Sequence, residues 1–361
     1  MFKLIDRYIV KNFVQTILFG LLSFLVIFII IDLMENLDDF IDHNVDNMIV
    51  VEYYAVFIPE IIRLMLPVAV LLSALFTVGK MQGTNELTAM RSSGISIYRF
   101  MIPFLVTVFI ISLGSIYFGG YIVPAANKHK VYIEQKYMKK DIVRAGNDIY
   151  FQDSDTRIVT ISYYDISDGV ANRVSIQEYD PDNKTQMIER YDADRMVYDS
   201  TDGNWILQQG IHRVFKDNME TADNFTKEKI TGLNFSPKNV IMKQRKPEEM
   251  TLGELKEFAY SQKQAGNDPT RVSIEYHSRI AFAFTSFVVV LFGLPFSANK
   301  RRGGIAIQFG VSVLIAFVYL VLNKIVEAFG KNGVLDPIMT AWLVNIVFLV
   351  AALFYLNRIN K

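Results

Sequence analysis

Apolar and polar residues fall into long blocks along this 361-residue chain, and six of the apolar blocks carry no charge: 12–31, 64–79, 100–127, 280–299, 303–323 and 337–357. A helix needs about 20 residues to cross the hydrocarbon core of a bilayer, and five of the six runs meet that length unaided. The second is shorter and extends backward through Arg63 and Glu60, which lie at i,i+3 on one helix face where they can pair or reach the headgroups. The pattern predicts six transmembrane helices. Between the third and fourth lie the polar residues 125–272, and there the period changes. "TRIVTISYYD", "NRVSIQEYD" and "GNWILQQGIHRVF" alternate as half-buried strands do, with turn signals at Asp168-Gly169, Pro181-Asp182-Asn183 and Asp202-Gly203-Asn204. Short strands at this spacing suggest a sandwich or jelly roll. After Pro247 the period becomes helical again: in "MTLGELKEFAYSQKQAG" Thr251 and Glu254 form a capping box, and Leu252, Leu255, Phe258 and Ala259 share a face.

The fold class expected is therefore a membrane α-helical protein with six transmembrane helices and an all-β, jelly-roll-like domain inserted between spans 3 and 4. Its divisions are an N-terminal transmembrane half (1–124), the β domain (125–246), a connector helix (247–272) and a C-terminal transmembrane half (273–361). Basic residues set the orientation, because basic loops stay cytoplasmic. Lys3, Arg7 and Lys11 precede the first span, whereas "DLMENLDDFIDHNVDN" after it has acids and no Lys or Arg. Lys80, Arg91 and Arg99 mark the second inner loop, "NKRRGG" (299–304) the next, and Arg358 and Lys361 the end. Both termini are thus expected in the cytoplasm and the β domain on the outer, periplasmic side. No small-residue cleavage site follows the first run, so a cleaved signal peptide is not expected.

Composition narrows the chemistry. Hydrophobic residues make up 51% of the chain, as suits a membrane protein, and Lys+Arg equal Asp+Glu at 37 each, which gives no reason to expect nucleic acid. With no cysteine there is no disulfide, thiolate metal site or Cys nucleophile, and His43, His129, His212 and His277 lack zinc-like spacing. A phosphate-binding GxxxxGK[ST] loop is absent: Gly79-Lys80 and Gly330-Lys331 lack both the preceding glycine and the following Ser/Thr. Ion-coupled transport also loses ground, since Asp32, Glu35, Lys324 and Glu327 sit at the outer ends of spans rather than within them.

One polar island remains, "GKMQGTNELTAMRSSGISIYRF" (79–100), between the second and third spans. Thr84 or Asn85 can cap a short helix over about 84–93, Glu86 sits in its first turn where the dipole favours an acid, and Gly94 can end it. Leu87, Met90 and Met81 project from one side. Such a helix is either a lever that a soluble partner grips or an ordinary helix lying on the headgroups.

"LIDRYIVKNF", "NELTAMRSSGIS", "KPEEMTLGELKEF" and "PFSANKRRGGIAI" follow one another in this order. Together they resemble the LptF/LptG permease family of the lipopolysaccharide export system across essentially the full chain, the opening segment being more LptG-like than LptF-like. The resemblance implies a second LptF/LptG-type permease as partner, a dimeric LptB-like ATPase below, and LptC- and LptA-like periplasmic proteins above. The cargo implied is lipopolysaccharide, lifted from the inner membrane of a Gram-negative cell. It further implies that Glu86 is the acid of the coupling helix gripped by the ATPase, with Leu87, Met90 and Arg91 as neighbours, and that no cofactor binds this chain, the partner holding Mg-ATP. Phe24, Phe28 and Phe317 are expected at the family's lateral gate. Where LptG-type relatives can carry lysines near the outer end of span one, this sequence reads "IIDLMENLDDF". Lipid phosphates would then be met through bridging divalent cations, or by Arg63, Lys128 or Lys130, or the lipid carries fewer of them. The rival readings are a membrane-anchored sensor or scaffold, and a mechanotransmitting ABC permease that moves no lipid.

Overall fold

The computed structural model describes residues 4–138, 149–165, 168–200, 202–216, 219–244, 246–264, 268–298 and 305–359. The loop "NKRRGG", Lys3 and Lys361 lie outside the described residues. The chain divides into two compact units: one is a helical bundle of residues 1–140, 248–256 and 270–361, the other a sheet unit of residues 141–247 and 257–269.

The bundle begins with two very long helices, α1 (Leu4–Asp42) and α2 (Asn47–Gly83), followed by a short α3 (Glu86–Ser92) and by α4 (Ile97–Tyr117). A π-helical turn, Phe118–Ile122, joins α4 to α5 (Val123–Lys136) without interrupting the rod. At 39 residues α1 is about 58 Å long, well beyond what a bilayer core requires. Among the described residues, five helical stretches are long and apolar enough to span a membrane: Leu4–Asp42, Asn47–Gly83, Ile97–Lys136, Val313–Lys331 and Pro337–Asn357.

Six spans are reached only if one bent pair counts as a span, because the run 280–299 is broken near its start and not one straight helix. Here α8 (Thr270–Ala283) and α9 (Thr285–Ala298) meet at Phe284, and the pair Thr270–Ala283 with Thr285–Pro295 bends by 42°. A break inside a membrane must re-satisfy its backbone, and neighbouring helices do this here. Asn345 Nδ2 donates to Ala281 O (2.8 Å), Tyr319 OH donates to Asn345 Oδ1 (2.8 Å), and Thr285 Oγ1 lies 2.8 Å from the same phenol. Tyr319 and Asn345 come from the last two helices, α10 (Ile305–Lys331) and α11 (Pro337–Ile359).

Small residues explain why α2 occupies the middle. Ala69, Val70, Ser73, Ala74, Thr77, Val78 and Gly79 are buried along it, and small side chains let helix backbones approach closely where hydrophobic transfer supplies no drive. Phe13 and Ile17 of α1, Phe100 and Phe104 of α4, and Val289, Val290 and Leu294 of α9 share its core. At the opposite end of α1, Phe40 packs on Tyr53 (ring centroids 5.5 Å apart) with Ile133 and Met138, closing the α1–α2 hairpin whose turn passes through Asn44 at φ +49°.

Six strands form the sheet unit: β1 (Ile149–Gln152), β2 (Arg157–Asp165), β3 (Val170–Tyr179), β4 (Met187–Asp199), β5 (Asn204–Lys216) and β6 (Met219–Ile230). Each pairs antiparallel with the next in sequence order, an up-and-down meander in one sheet. The inserted β domain is thus present, and among the described residues it is a single meander without the crossover of a jelly roll or sandwich. The turn glycines behave as the sequence suggests, Gly169 and Gly203 taking φ of +68° and +66°.

A crease runs across the sheet. The ladder passes over Ser162, Arg173, Asp194, Gln209 and Thr226 in one transverse row without a change of register, and Arg173 and Gln209 adopt left-handed φ of +48° and +52°. On one side of it Met196, Trp205 and Leu207 enter the core; on the other, Val174, Ile176 and Ala193 do. Helix α6 (Pro237–Gln244) and the segment before it close this core with Val240 and Phe235, and Trp205 Nε1 donates to Phe235 O (2.9 Å). The helix after Pro247 forms as α7 (Leu252–Gln264): Glu254 N donates to Thr251 Oγ1 (3.3 Å), Thr251 N to Glu254 Oε2 (2.8 Å), and Leu252, Leu255 and Phe258 are buried.

Candidate functional site

Helix α3 sits on a tight knuckle built by its flanks. Thr84 Oγ1 donates its one proton to Glu86 Oε1 (2.9 Å) and lies 3.1 Å from Lys80 O at the end of α2. Asn85 holds the cap position in a left-handed conformation, φ +60°, which Asn tolerates well; its side chain makes no capping bond. The expected threonine or asparagine cap is therefore realised as a turn, with the threonine hydroxyl spent on Glu86. At the other end Gly94, at φ +83°, donates to Arg91 O (2.9 Å), and Ile95 N donates to Met90 O (3.1 Å). This pair is a Schellman closure, and Ile95 and Met90 both pack on the bundle core as that motif favours. Ser96 Oγ then accepts from Arg99 N (3.3 Å) and starts α4.

These restraints divide the helix into two faces. Leu87 is 5% exposed and belongs to the bundle core with Met81, so it anchors α3, and Met90 supports it from the next turn. Thr88, Ala89, Arg91 and Ser92 face outward. Glu86 stands between the two faces, its Oε2 accepting from the Tyr8 hydroxyl of α1 (3.0 Å). Beside it the side chains of Tyr8, Asn12, Thr16, Phe76, Thr77 and Lys80 line a small polar cleft between α1 and α2.

A second polar tie joins the same end of α1 to the start of α4. The Asp6 carboxylate, 4% exposed as a residue, accepts from Arg99 Nη2 at 2.6 Å. A charge-assisted bond of that length between a buried carboxylate and a guanidinium is among the stronger side-chain contacts. Neither Asp6 nor Tyr8 was singled out in the sequence, although a signal is present: Asp6, Ile9, Phe13 and Ile17 fall on one helical stripe, and all four are buried.

The gate and lipid candidates lie elsewhere. Phe24 and Phe28 are half-buried on α1, and Phe317 is exposed on α10; these two helices both pack against α2. Arg63 makes a bidentate pair with Glu60, Nη2 to Oε1 2.6 Å and Nε to Oε2 3.1 Å, and Asn127 Nδ2 also donates to Glu60 (3.3 Å). Lys130 lies 3.6 Å from Glu134 and 4.0 Å from the centre of the Phe57 ring. Both cations are thus locally neutralised, whereas Lys128 is exposed and carries no ion pair among the described residues.

Comparison with known proteins covers nearly the whole chain. Residues 7–358 match the model of the lipopolysaccharide export system permease LptF/LptG family. The permease protein LptG of Haemophilus influenzae is 21% identical over 361 residues, covering 99% of both chains. In Escherichia coli K12, LptF is 23% identical over 97% of this chain and 93% of its own, and LptG 22% identical over 99% of each. An inserted antiparallel sheet, long apolar helices and a short capped helix between the second and third of them thus occur in a sequence matched from end to end, and this chain belongs to the LptF/LptG family of lipopolysaccharide export permeases.

Proposed function

We propose that the chain is the transmembrane permease subunit of an ATP-driven lipopolysaccharide exporter, working beside a second LptF/LptG-type permease on an LptB-like ATPase dimer. The observation that carries this reading is α3: a seven-residue helix locked at both ends and anchored by Leu87, with a polar outer face, in a chain that lacks a phosphate-binding loop. A helix fixed in this way transmits a push instead of fraying under it. In this reading α3 and both termini face the cytoplasm, the sheet unit stands in the periplasm, and the partner supplies Mg-ATP and hydrolysis.

Lipopolysaccharide carries several acyl chains, and each methylene exposed to water costs about 0.8 kcal/mol. An export path must therefore be apolar throughout. The outward stripe of α1, with Leu18, Phe19, Leu22, Val26 and Ile30 exposed, and that of α10 around Phe317 offer such walls once a second permease faces them. Closure of the ATPase would then narrow the space between the permeases and drive the lipid toward the sheet unit and its LptC- and LptA-like neighbours. Lys128 is the cation best placed to meet lipid phosphate, since Arg63 and Lys130 already have carboxylate partners.

Glu86→Ala tests the reading. The wild-type chain purified in mild detergent should retain an ABC-type ATPase and a second six-span permease, and its hydrolysis should rise with lipopolysaccharide. The variant should lose the ATPase or hydrolyse without transport; normal assembly and transport in the variant would overturn the assignment of α3.

A further inference from the structure

The structure places one helix in an unusual mechanical position. The buried residues of α1 are Asp6, Ile9, Phe13 and Ile17 at one end and Asn36 and Phe40 at the other. From 18 to 35, about 27 Å of helix, no residue is buried. Within this stretch Gly20 and Leu21 rest on the bundle, so the rod is held most firmly at its ends.

At the end next to α3, two polar contacts do the holding. Tyr8 OH donates to Glu86 Oε2 on α3, and Asp6 accepts from Arg99, five residues beyond the Gly94 closure. They bracket the knuckle: one tie reaches its first residue, the other the helix that follows it. Ile9, Phe13 and Ile17 continue the contact into the same core that receives Leu87.

We propose that Tyr8 and Asp6 are positioning residues that make α1 follow α3, so that displacement of the short helix is passed to the first span and not only to α2 and α4, its covalent neighbours. The inference rests on the permease reading above. Glu86 then joins two elements through one carboxylate, its Oε2 bonding to Tyr8 of α1 and its Oε1 to Thr84 at the end of α2. Asp6 adds a charge-assisted contact from a buried carboxylate to the partly exposed Arg99.

The experiment uses the full permease–ATPase complex. Tyr8→Phe removes one hydroxyl and leaves the ring. The ATPase should still co-purify, while lipid moved per ATP hydrolysed should fall about fivefold, the factor that one hydrogen bond commands. The chain has no cysteine, so spin labels at Leu22→Cys on α1 and Val350→Cys on α11 report the helix directly when the ATPase is also cysteine-free. The distance between them should change on ATP–vanadate trapping in the parent and change less in Tyr8→Phe. Tyr98→Phe is the control, because the Tyr98 hydroxyl bonds Leu356 O of α11 and not α1, and it should leave both readouts as in the parent. Unaltered coupling and an unaltered distance change in Tyr8→Phe would overturn this inference alone. So would loss of the ATPase from that variant, which would make Tyr8 a docking residue. A parent chain that retains no ATPase would sink the permease reading itself.

Discussion

The first two helices make an instructive pair. They are 39 and 37 residues long and both read as strongly apolar, yet 6% of the most apolar stretch of α1 is buried in the chain against 56% for α2. Hydropathy therefore says that each crosses a membrane and nothing about which one is surrounded by protein. What distinguishes them is size: the buried stripe of α2 is rich in Ala, Ser, Thr, Val and Gly, whereas the middle of α1 is built of Phe, Leu and Ile. In a lipid solvent a large apolar residue gains little by leaving the acyl chains, so packing decides burial.

The contrast can be broken by matched substitutions, with unfolding in mixed micelles as the measurement. Leu71→Ala in α2 should cost about 2 kcal/mol or more, because Leu71 is fully buried among neighbours that cannot all collapse into the gap. Ala74→Leu should cost about 1–3 kcal/mol by overpacking the same helix. Asn345→Ala should cost about 1 kcal/mol, less than in a soluble core, by leaving Ala281 O and Tyr319 OH without this partner at the bend. Leu22→Ala on the open face of α1 should fall within about 0.5 kcal/mol. A large loss there in the isolated chain would mean that α1 is packed along its whole length.

Much of the fold was legible for physical reasons. Charge-free runs mark apolar helices because a charge in the bilayer is costly, and the Thr251–Glu254 box and Gly94 are local signals that tertiary contacts did not override. The bent span was hidden because α8 carries Arg271, Glu275 and Arg279, so its first half does not read as apolar. Arg279 is buried there by pairing with Glu275 (2.9 Å) and by donating to Met250 O. Strands β1, β4 and β6 were missed, β1 because four residues are too few to show a period, the other two for reasons of their own. The crease at Asp194 changes which residues of β4 point inward, and β6 is exposed along nearly its whole length, so neither keeps a period of two. The meander itself could not be read, since alternation marks a strand and not its neighbour. At the candidate site, Glu86 and Gly94 were visible as punctuation. The bond from Tyr8 was not, because 78 residues separate the two and no spacing rule reaches that far.

The aromatic knot of Phe40 and Tyr53 completes the picture of α1, since it grips the end remote from α3. A beam fastened at both extremities cannot swing out like a flap. It can only bow at mid-length or turn on its long axis, exchanging the residues it shows to the interior for those it shows to the surrounding fat. A doorway bounded by such a helix would open as a pivoting louvre does, by a modest rotation that never lets go of either pin.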